Sequence, residues 1–364
     1  MIDSEFGRFF LPGPTEVHPD VLAAMVRPMI AHRSSEMVRL LQSMEPPLQR
    51  MWRTGQRVYI GTCSATGFME MAVRSGVRQR ALCLVGGAFG ERFAGIVGAT
   101  GRDVIRLDVP LGQTVEPDLL RDALKRSDVD AVTLVHSETS TGALAPLEDL
   151  AAVVREFEDV VLLVDAVTSF SASPLETDAW HLDFVLTGSQ KALALPPGLA
   201  LGVASERMLE RARKTPERGA YFDVLAYEQA SADYQPTNTP ALSLLFALET
   251  QVGRIQQEGG IEARWRRHEA MRGVVEEWVA GAGGELGFSF LPLEGRRSAT
   301  VSCLNVPAGM KGRTIAQALK EQGWVIGSGY GLLKQSTIRI GHMGDHTPEG
   351  VRALLATIEQ VVTA

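Results

Sequence analysis

Lys191 ends the segment Thr187-Gly188-Ser189-Gln190-Lys191, just past one apolar run, and Asp165 closes another, Val160-Val161-Leu162-Leu163-Val164. Lysine is the side chain that forms a Schiff base with a carbonyl cofactor. An aspartate in the same site can sit against a protonated ring nitrogen. Taken alone it reads equally well as a helix cap or an ion-pair partner. The interval between the two leaves room for one crossover and one further strand. Both side chains can therefore converge from different strand ends, where an open α/β sheet places its ligands.

Three other segments carry polar chemistry. Thr62-Cys63-Ser64-Ala65-Thr66-Gly67 directly precedes a helical pattern, Phe68–Ser75. Small and hydroxyl residues there leave backbone N–H groups free, and the helix dipole favours an anion, so a phosphate cup is one reading. An N-capped helix without a ligand is the other. His136-Ser137-Glu138-Thr139-Ser140-Thr141-Gly142 follows an apolar run and suits either a ligand loop or a polar turn, with His136 itself a structural residue. Arg339 stands between Thr337-Ile338 and Ile340-Gly341. On a half-buried strand its planar fork would fit a carboxylate in two parallel hydrogen bonds; on a surface strand it would simply point outward.

The elements that must position these groups are visible as alternation. Apolar, β-rich runs at Arg80–Val85, Asp103–Leu107, Ala131–His136, Val160–Asp165, Asp183–Thr187 and Leu199–Ala204 are separated by helical patterns such as Ala65–Ser75, Pro117–Lys125 and Leu147–Glu156. Nearly continuous apolar strands are expected where helices cover both faces, and strand–helix alternation predicts a mostly parallel sheet. Beyond about residue 240 the order loosens. A helix opened by Pro240 runs to Glu258, Gly259-Gly260 breaks it, and a second helix spans Ile261–Ala280. Strand patterns at Gly287–Leu291, Ala299–Val306 and Thr337–Gly341 then mix with helices at Arg313–Gln322 and from Thr347. This predicts an α/β fold with a smaller α+β domain at the C-terminal end.

With 364 residues, two domains are the natural expectation. A net charge of −7 argues against a nucleic-acid or anionic-membrane surface. Cys63, Cys83 and Cys303 are scattered, which suits a reducing compartment and offers no metal-site spacing. The N-terminus lacks the pattern of a signal peptide, and no apolar run approaches the ~20 residues of a spanning helix. A cytoplasmic chain is expected, with no metal, nucleic-acid or membrane partner.

Together the motifs Pro12-Gly13-Pro14, His32-Arg33-Ser34, Ser64-Ala65-Thr66-Gly67, Glu138-Thr139-Ser140-Thr141-Gly142, Val164-Asp165-Ala166-Val167, Gly188-Ser189-Gln190-Lys191 and Arg339-Ile340-Gly341 resemble the class V aminotransferases of pyridoxal-phosphate fold type I. The likeness runs essentially end to end and is nearest to the alanine–glyoxylate and serine–glyoxylate branch. It implies a PLP-dependent transferase fold with a seven-stranded, mostly parallel sheet. It divides the chain into an N-terminal arm (1–20), a large cofactor-binding domain (21–255) and a small α+β domain (256–364). It also implies pyridoxal 5′-phosphate as cofactor, and a small amino acid and a 2-oxo acid as substrates.

By that resemblance Lys191 would hold the cofactor and shuttle protons, and Asp165 would keep the pyridine nitrogen protonated. Thr66, Gly67 and Gln190 would hold the phosphate, and Thr139 the phenolic oxygen. Phe89 and Val167 would cover the two ring faces. Arg339, helped by the backbone near Gly13, would clamp the substrate carboxylate. Thr239 would reach the phosphate of the neighbouring subunit, making a homodimer necessary. The sequence departs from relatives at Phe89, where tryptophan or histidine is common, and at Pro236, where some carry tyrosine.

Other readings share parts of this pattern. A phosphonate or phosphoserine aminotransferase would need extra cations, for which Arg33 is the candidate. Cysteine desulfurases typically place histidine where Gln190 and Phe89 stand here. A nucleotide-binding oxidoreductase would have to use Gly86-Gly87-Ala88-Phe89-Gly90, which lacks the G-x-G-x-x-G spacing. A non-catalytic descendant of the fold would have little reason to keep Lys191, Asp165 and Arg339 together.

Overall fold

The computed structural model describes residues 6–364, so residues 1–5 of the expected arm lie outside it. Seven strands form the larger sheet, in the order Tyr59–Gly61, Ala200–Ala204, Phe184–Gly188, Val161–Asp165, Ala131–Val135, Arg80–Val85 and Asp103–Asp108. The last five run parallel, while Ala200–Ala204 is antiparallel to both of its neighbours. Every residue of Val161–Asp165, Phe184–Gly188 and Ala200–Ala204 is buried. Helices on both faces leave no solvated side, which is why these strands read as unbroken apolar runs. Asp103–Asp108 lies at the sheet edge and is only partly covered, and its polar residues accept that exposure.

A second sheet holds five strands in the order Phe9–Phe10, Val325–Ser328, Thr337–Ile340, Ser302–Asn305 and Ser289–Phe290. Phe9 and Phe10 pair in parallel with Val325 and Ile326, stitching the start of the described chain to its far end. The helices Ile261–Ala280 and Pro348–Thr363 contribute Met271, Val275, Val351 and Leu354 to a core shared with Phe10, Leu304 and Ile338. Burying each such side chain contributes about 1.5–3 kcal/mol.

The structure departs from the sequence expectations at several elements. The long helix begins at Leu242 rather than Pro240. The Thr62 hydroxyl accepts from the Ala241 N–H (2.9 Å), holding Pro240 in the preceding loop. A helix over Ser35–Trp52 was not expected, and it contains Pro46 and Pro47. Its buried stripe of Leu40, Met44, Leu48 and Met51 outweighs the local cost of the prolines. The helix Ala88–Ala99 and the short strands Tyr59–Gly61 and Val325–Ser328 were likewise not anticipated. Among the described residues, no helix is long and apolar enough to cross a membrane.

Candidate active site

Asp165 is the last residue of its strand, and its neighbours fix it tightly. Its carbonyl accepts from the His136 N–H (2.9 Å), and its Oδ1 accepts from the Val167 N–H (2.8 Å). The adjacent strand ends at Gly188, and the next residue, Ser189, pins the loop beyond. Its hydroxyl donates to Pro196 O (2.7 Å) and accepts from the Leu199 N–H (3.2 Å). Lys191 is thereby held just outside the sheet's carboxyl edge and buried, 6% exposed. Its ammonium donates to the Pro12 carbonyl.

The arm residue Gly13 presses on the lysine. Its φ of +95° lies in the left-handed region, and a Cβ there would stand 2.5 Å from Lys191 Cδ. Only glycine satisfies both the conformation and the approach.

Burial works on the two charges in opposite directions. It pushes Lys191 down to about 8, with the Arg339 guanidinium adding to the effect while Asp165 and Glu138 oppose it. It pushes Asp165 up to about 7, against the Val167 N–H, which favours the anion. A buried amine poised near neutrality is the state a Schiff-base lysine requires.

Both groups open into one cavity of about 120 Å³. Thr66, Phe89, Thr139, Val167 and Gln190 line it as well, so seven of the expected site residues meet in one place. At its rim the helix Ala65–Gly76 begins with Ser64 as its cap, whose hydroxyl makes no capping bond. The Gly67 N–H turns back to Ser64 O (2.9 Å), whereas the N–H groups of Ala65 and Thr66 have no acceptor among the described residues. Pyridoxal phosphate brings a dianionic phosphate, a basic ring nitrogen and an aldehyde. The orphan donors, Asp165 and Lys191 answer these three in turn, so the residues present fit the group. Thr139 Oγ1 lies 2.5 Å from Thr168 Oγ1, which places a second hydroxyl beside the one expected.

Arg339 stands beside this cavity on the strand Thr337–Ile340. Its Nε donates to Ser328 O (3.0 Å) and its Nη1 to Thr139 O (3.2 Å). Nη2 has no partner and the side chain makes no ion pair among the described residues, which leaves the outer prong for an anion. Thr239 is not part of the cavity of its own chain. It is exposed on the loop that precedes Leu242–Gln257. Arg33 donates to the Pro236 carbonyl (2.8 Å) and does not line the cavity, so the cation invoked for a second phosphate is elsewhere.

Two residues with clear positions were not singled out from the sequence. Glu138 Oε2 accepts from the N–H groups of Phe89 (3.0 Å) and Gly90 (3.1 Å), capping the helix that carries Phe89. A carboxylate thus fills the turn that an oxidoreductase would need for a nucleotide phosphate. Arg92, one helical turn beyond Phe89, lines the cavity with its guanidinium 4.9 Å from the Phe89 ring centre and no carboxylate partner among the described residues. The i, i+3 spacing from Phe89 was the available signal. Burial pushes the Cys63 thiol up to about 12, which removes it as a ready thiolate nucleophile.

A buried charge network braces the lysine from behind. Arg264, 1% exposed, donates to Ala192 O (2.8 Å), Asp345 Oδ1 (2.9 Å) and Glu258 Oε2 (3.3 Å). It therefore ties the residue after Lys191 to the loop that follows Arg339. Arg264→Met is expected to cost about 3 kcal/mol, because it leaves the half-buried Asp345 and Glu258 with only Arg267 and Arg254. Chemical denaturation of the cofactor-free protein checks the value. A loss within about 0.5 kcal/mol would show that the network contributes nothing net.

Comparison with known proteins agrees with this geometry. The profile of the family described as Aminotransferase class-V matches residues 95–354. The chain is 36% identical to an uncharacterized aminotransferase of Methanocaldococcus jannaschii, over 98% of this chain and 93% of the relative. Alanine–glyoxylate aminotransferase from Nostoc sp. superposes with a TM-score of 0.90 at 30% identity, covering 98% of this chain and 95% of that one. An aspartate aminotransferase of subgroup IV from Thermus thermophilus gives 0.89 at 30% identity, over 98% and 99%.

Proposed function

The chain belongs to the class-V aminotransferases, and we propose that within this family it transfers the amino group of alanine or serine to a 2-oxo acid such as glyoxylate or pyruvate. Its cofactor is pyridoxal 5′-phosphate. The observation that carries the substrate reading is Arg339, a guanidinium with one free prong beside the Lys191 amine, sized for the single carboxylate of a small amino acid. The likeness to the Nostoc alanine–glyoxylate enzyme supports it.

When bound, the cofactor supplies an electron sink for the charge left at the donor Cα once its proton departs. Arg339 binds the donor carboxylate and orients the Cα–H bond. The Lys191 Nζ takes the Cα proton as general base and later returns one as general acid. Asp165 would hold a proton on the ring nitrogen, and Thr139 would donate to the phenolic oxygen. Ser64, Ala65, Thr66 and Gln190 would hold the phosphate, with the Gly67 N–H already given to Ser64 O, and Phe89 and Val167 would confine the ring. A donor half-reaction followed by an acceptor half-reaction makes the kinetics ping-pong. In this reading Thr239 reaches the phosphate site of a second copy, so the working unit is a homodimer. The arm 1–20, the body 21–255 and the cap 256–364 are its parts.

The test is a spectrum. Alanine or serine should bleach the visible band of the purified protein, and glyoxylate or pyruvate should restore it. A band unchanged by any amino donor would reject the reading. One observation favours a second reading: Arg92 is a further cation lining the cavity with no carboxylate partner among the described residues, and with Arg339 it would suit an acidic donor such as aspartate. Aspartate turning over at least about tenfold faster than alanine, the span of one modest pocket contact, would replace the first reading with the second.

A further inference from the structure

Tyr330 belongs to a turn built for rigidity. The Gly329 N–H donates to Thr337 O (2.8 Å), and the Leu333 N–H donates to Tyr330 O (3.0 Å). A Cβ at Gly329 would fall 2.0 Å from Leu333 O, so the backbone leaves no space for a larger residue. This turn runs directly into the strand Thr337–Ile340, which fixes Tyr330 relative to Arg339. The tyrosine ring centre lies 5.5 Å from Arg339 Cζ and 6.3 Å from the centre of the Phe89 ring, the planes tilted by 40°. Phe89 in turn has the Lys191 Nζ 5.8 Å from its centre.

A donor that spans from Arg339 to Lys191 therefore lies alongside both rings. At 6.3 Å the two rings form a contacting pair rather than a passage. They make a wall. Tyr330 also borders a groove of about 400 Å³ whose other walls include Val85, Val109, Leu111, Leu332 and Leu333. The charged residues that reach this groove, Arg106, Glu91 and Asp108, are tied to one another. Tyr330 itself is 42% exposed, because one face borders this open groove.

We propose that Tyr330 determines donor size by closing the reaction space against this apolar groove, so that only amino acids with short side chains fit. The inference rests on the aminotransfer reading above and specifies its substrate class. A side chain beyond two heavy atoms meets the Tyr330–Phe89 wall. Removal of the tyrosine ring joins the two spaces and gives an unbranched apolar chain a place to lie.

The experiment measures kcat/KM for alanine and for norvaline in the cofactor-loaded parent, Tyr330→Ala and Tyr330→Phe. The parent should prefer alanine. Tyr330→Ala should shift the norvaline-to-alanine ratio upward by at least ~10-fold, the usual scale for opening an apolar pocket. Tyr330→Phe keeps the wall and should hold the parent ratio, which separates a size filter from a hydroxyl contact or a general loss of structure. A ratio within about twofold of the parent in Tyr330→Ala overturns the inference while leaving aminotransfer standing. So does a parent that uses norvaline as readily as alanine. A parent inert toward every amino donor overturns both.

Discussion

Lys191→Ala is expected to lower kcat for any amino donor by at least about 10⁴-fold, the upper range for loss of a positioned general acid–base, and to remove the covalent hold on the cofactor as well. The size of the effect follows from position. Among the described residues, no other lysine lines the cavity, and Pro12, Gly13 and the Ser189 brace leave Lys191 little freedom to be replaced by a neighbour. Single-turnover kinetics with alanine, together with the visible spectrum, measure both losses. A variant that keeps full turnover would end the assignment.

The cofactor-free protein offers an independent signature of the same residue. Burial moves Lys191 from its ordinary 10.5 to about 8. Between those values the unfolded chain binds the extra proton and the folded one does not, so stability rises with pH across that window. Lys191→Met should flatten that rise in denaturation curves taken from pH 8 to 10.

Asp165→Asn is expected to lower kcat by about 10²–10³-fold, the scale for removing one preorganised charge from the place where charge develops. The asparagine is nearly isosteric and can still accept from the Val167 N–H, so cofactor affinity should fall far less than turnover. A kcat within threefold of the parent would deny Asp165 its role. Here the sign of the pH effect is the opposite of that for the lysine. Burial raises the aspartate from 3.8 to about 7 in the cofactor-free protein. The folded chain holds the proton longer, and its stability falls as pH rises through that interval. Asp165→Asn should remove this fall.

The positions of Lys191 and Asp165 were legible because Asp165 closes, and Lys191 follows, a strand buried on both faces, and such strands announce themselves as continuous apolar runs. The parallel sheet was legible for the same reason. Val325–Ser328 was not, since Gly327 and Ser328 break the apolar signal and one of the strand's partners, Phe9–Phe10, lies far away in sequence. Glu138 reads as one polar residue in a polar turn. Its capping role depends on where the helix Ala88–Ala99 begins, a tertiary fact. Arg92 reads as an exposed helix residue, and only the fold turns that face toward the cavity. Thr239 is a different case. The role expected for it needs a second copy, and no single chain can display it.

The pairing of Phe9–Phe10 with Val325–Ile326 has a consequence for how the protein comes into being on the ribosome. The first described strand emerges early and waits, because its partner, Val325–Ile326, is synthesised long after it. The seven-stranded sheet, complete by Ala204, can assemble well before then. Pro12 and Gly13 can settle over Lys191 only when the second sheet closes. The Lys191 amine is thus roofed late in folding, and a long-range, low-speed contact becomes the step that finishes the cavity.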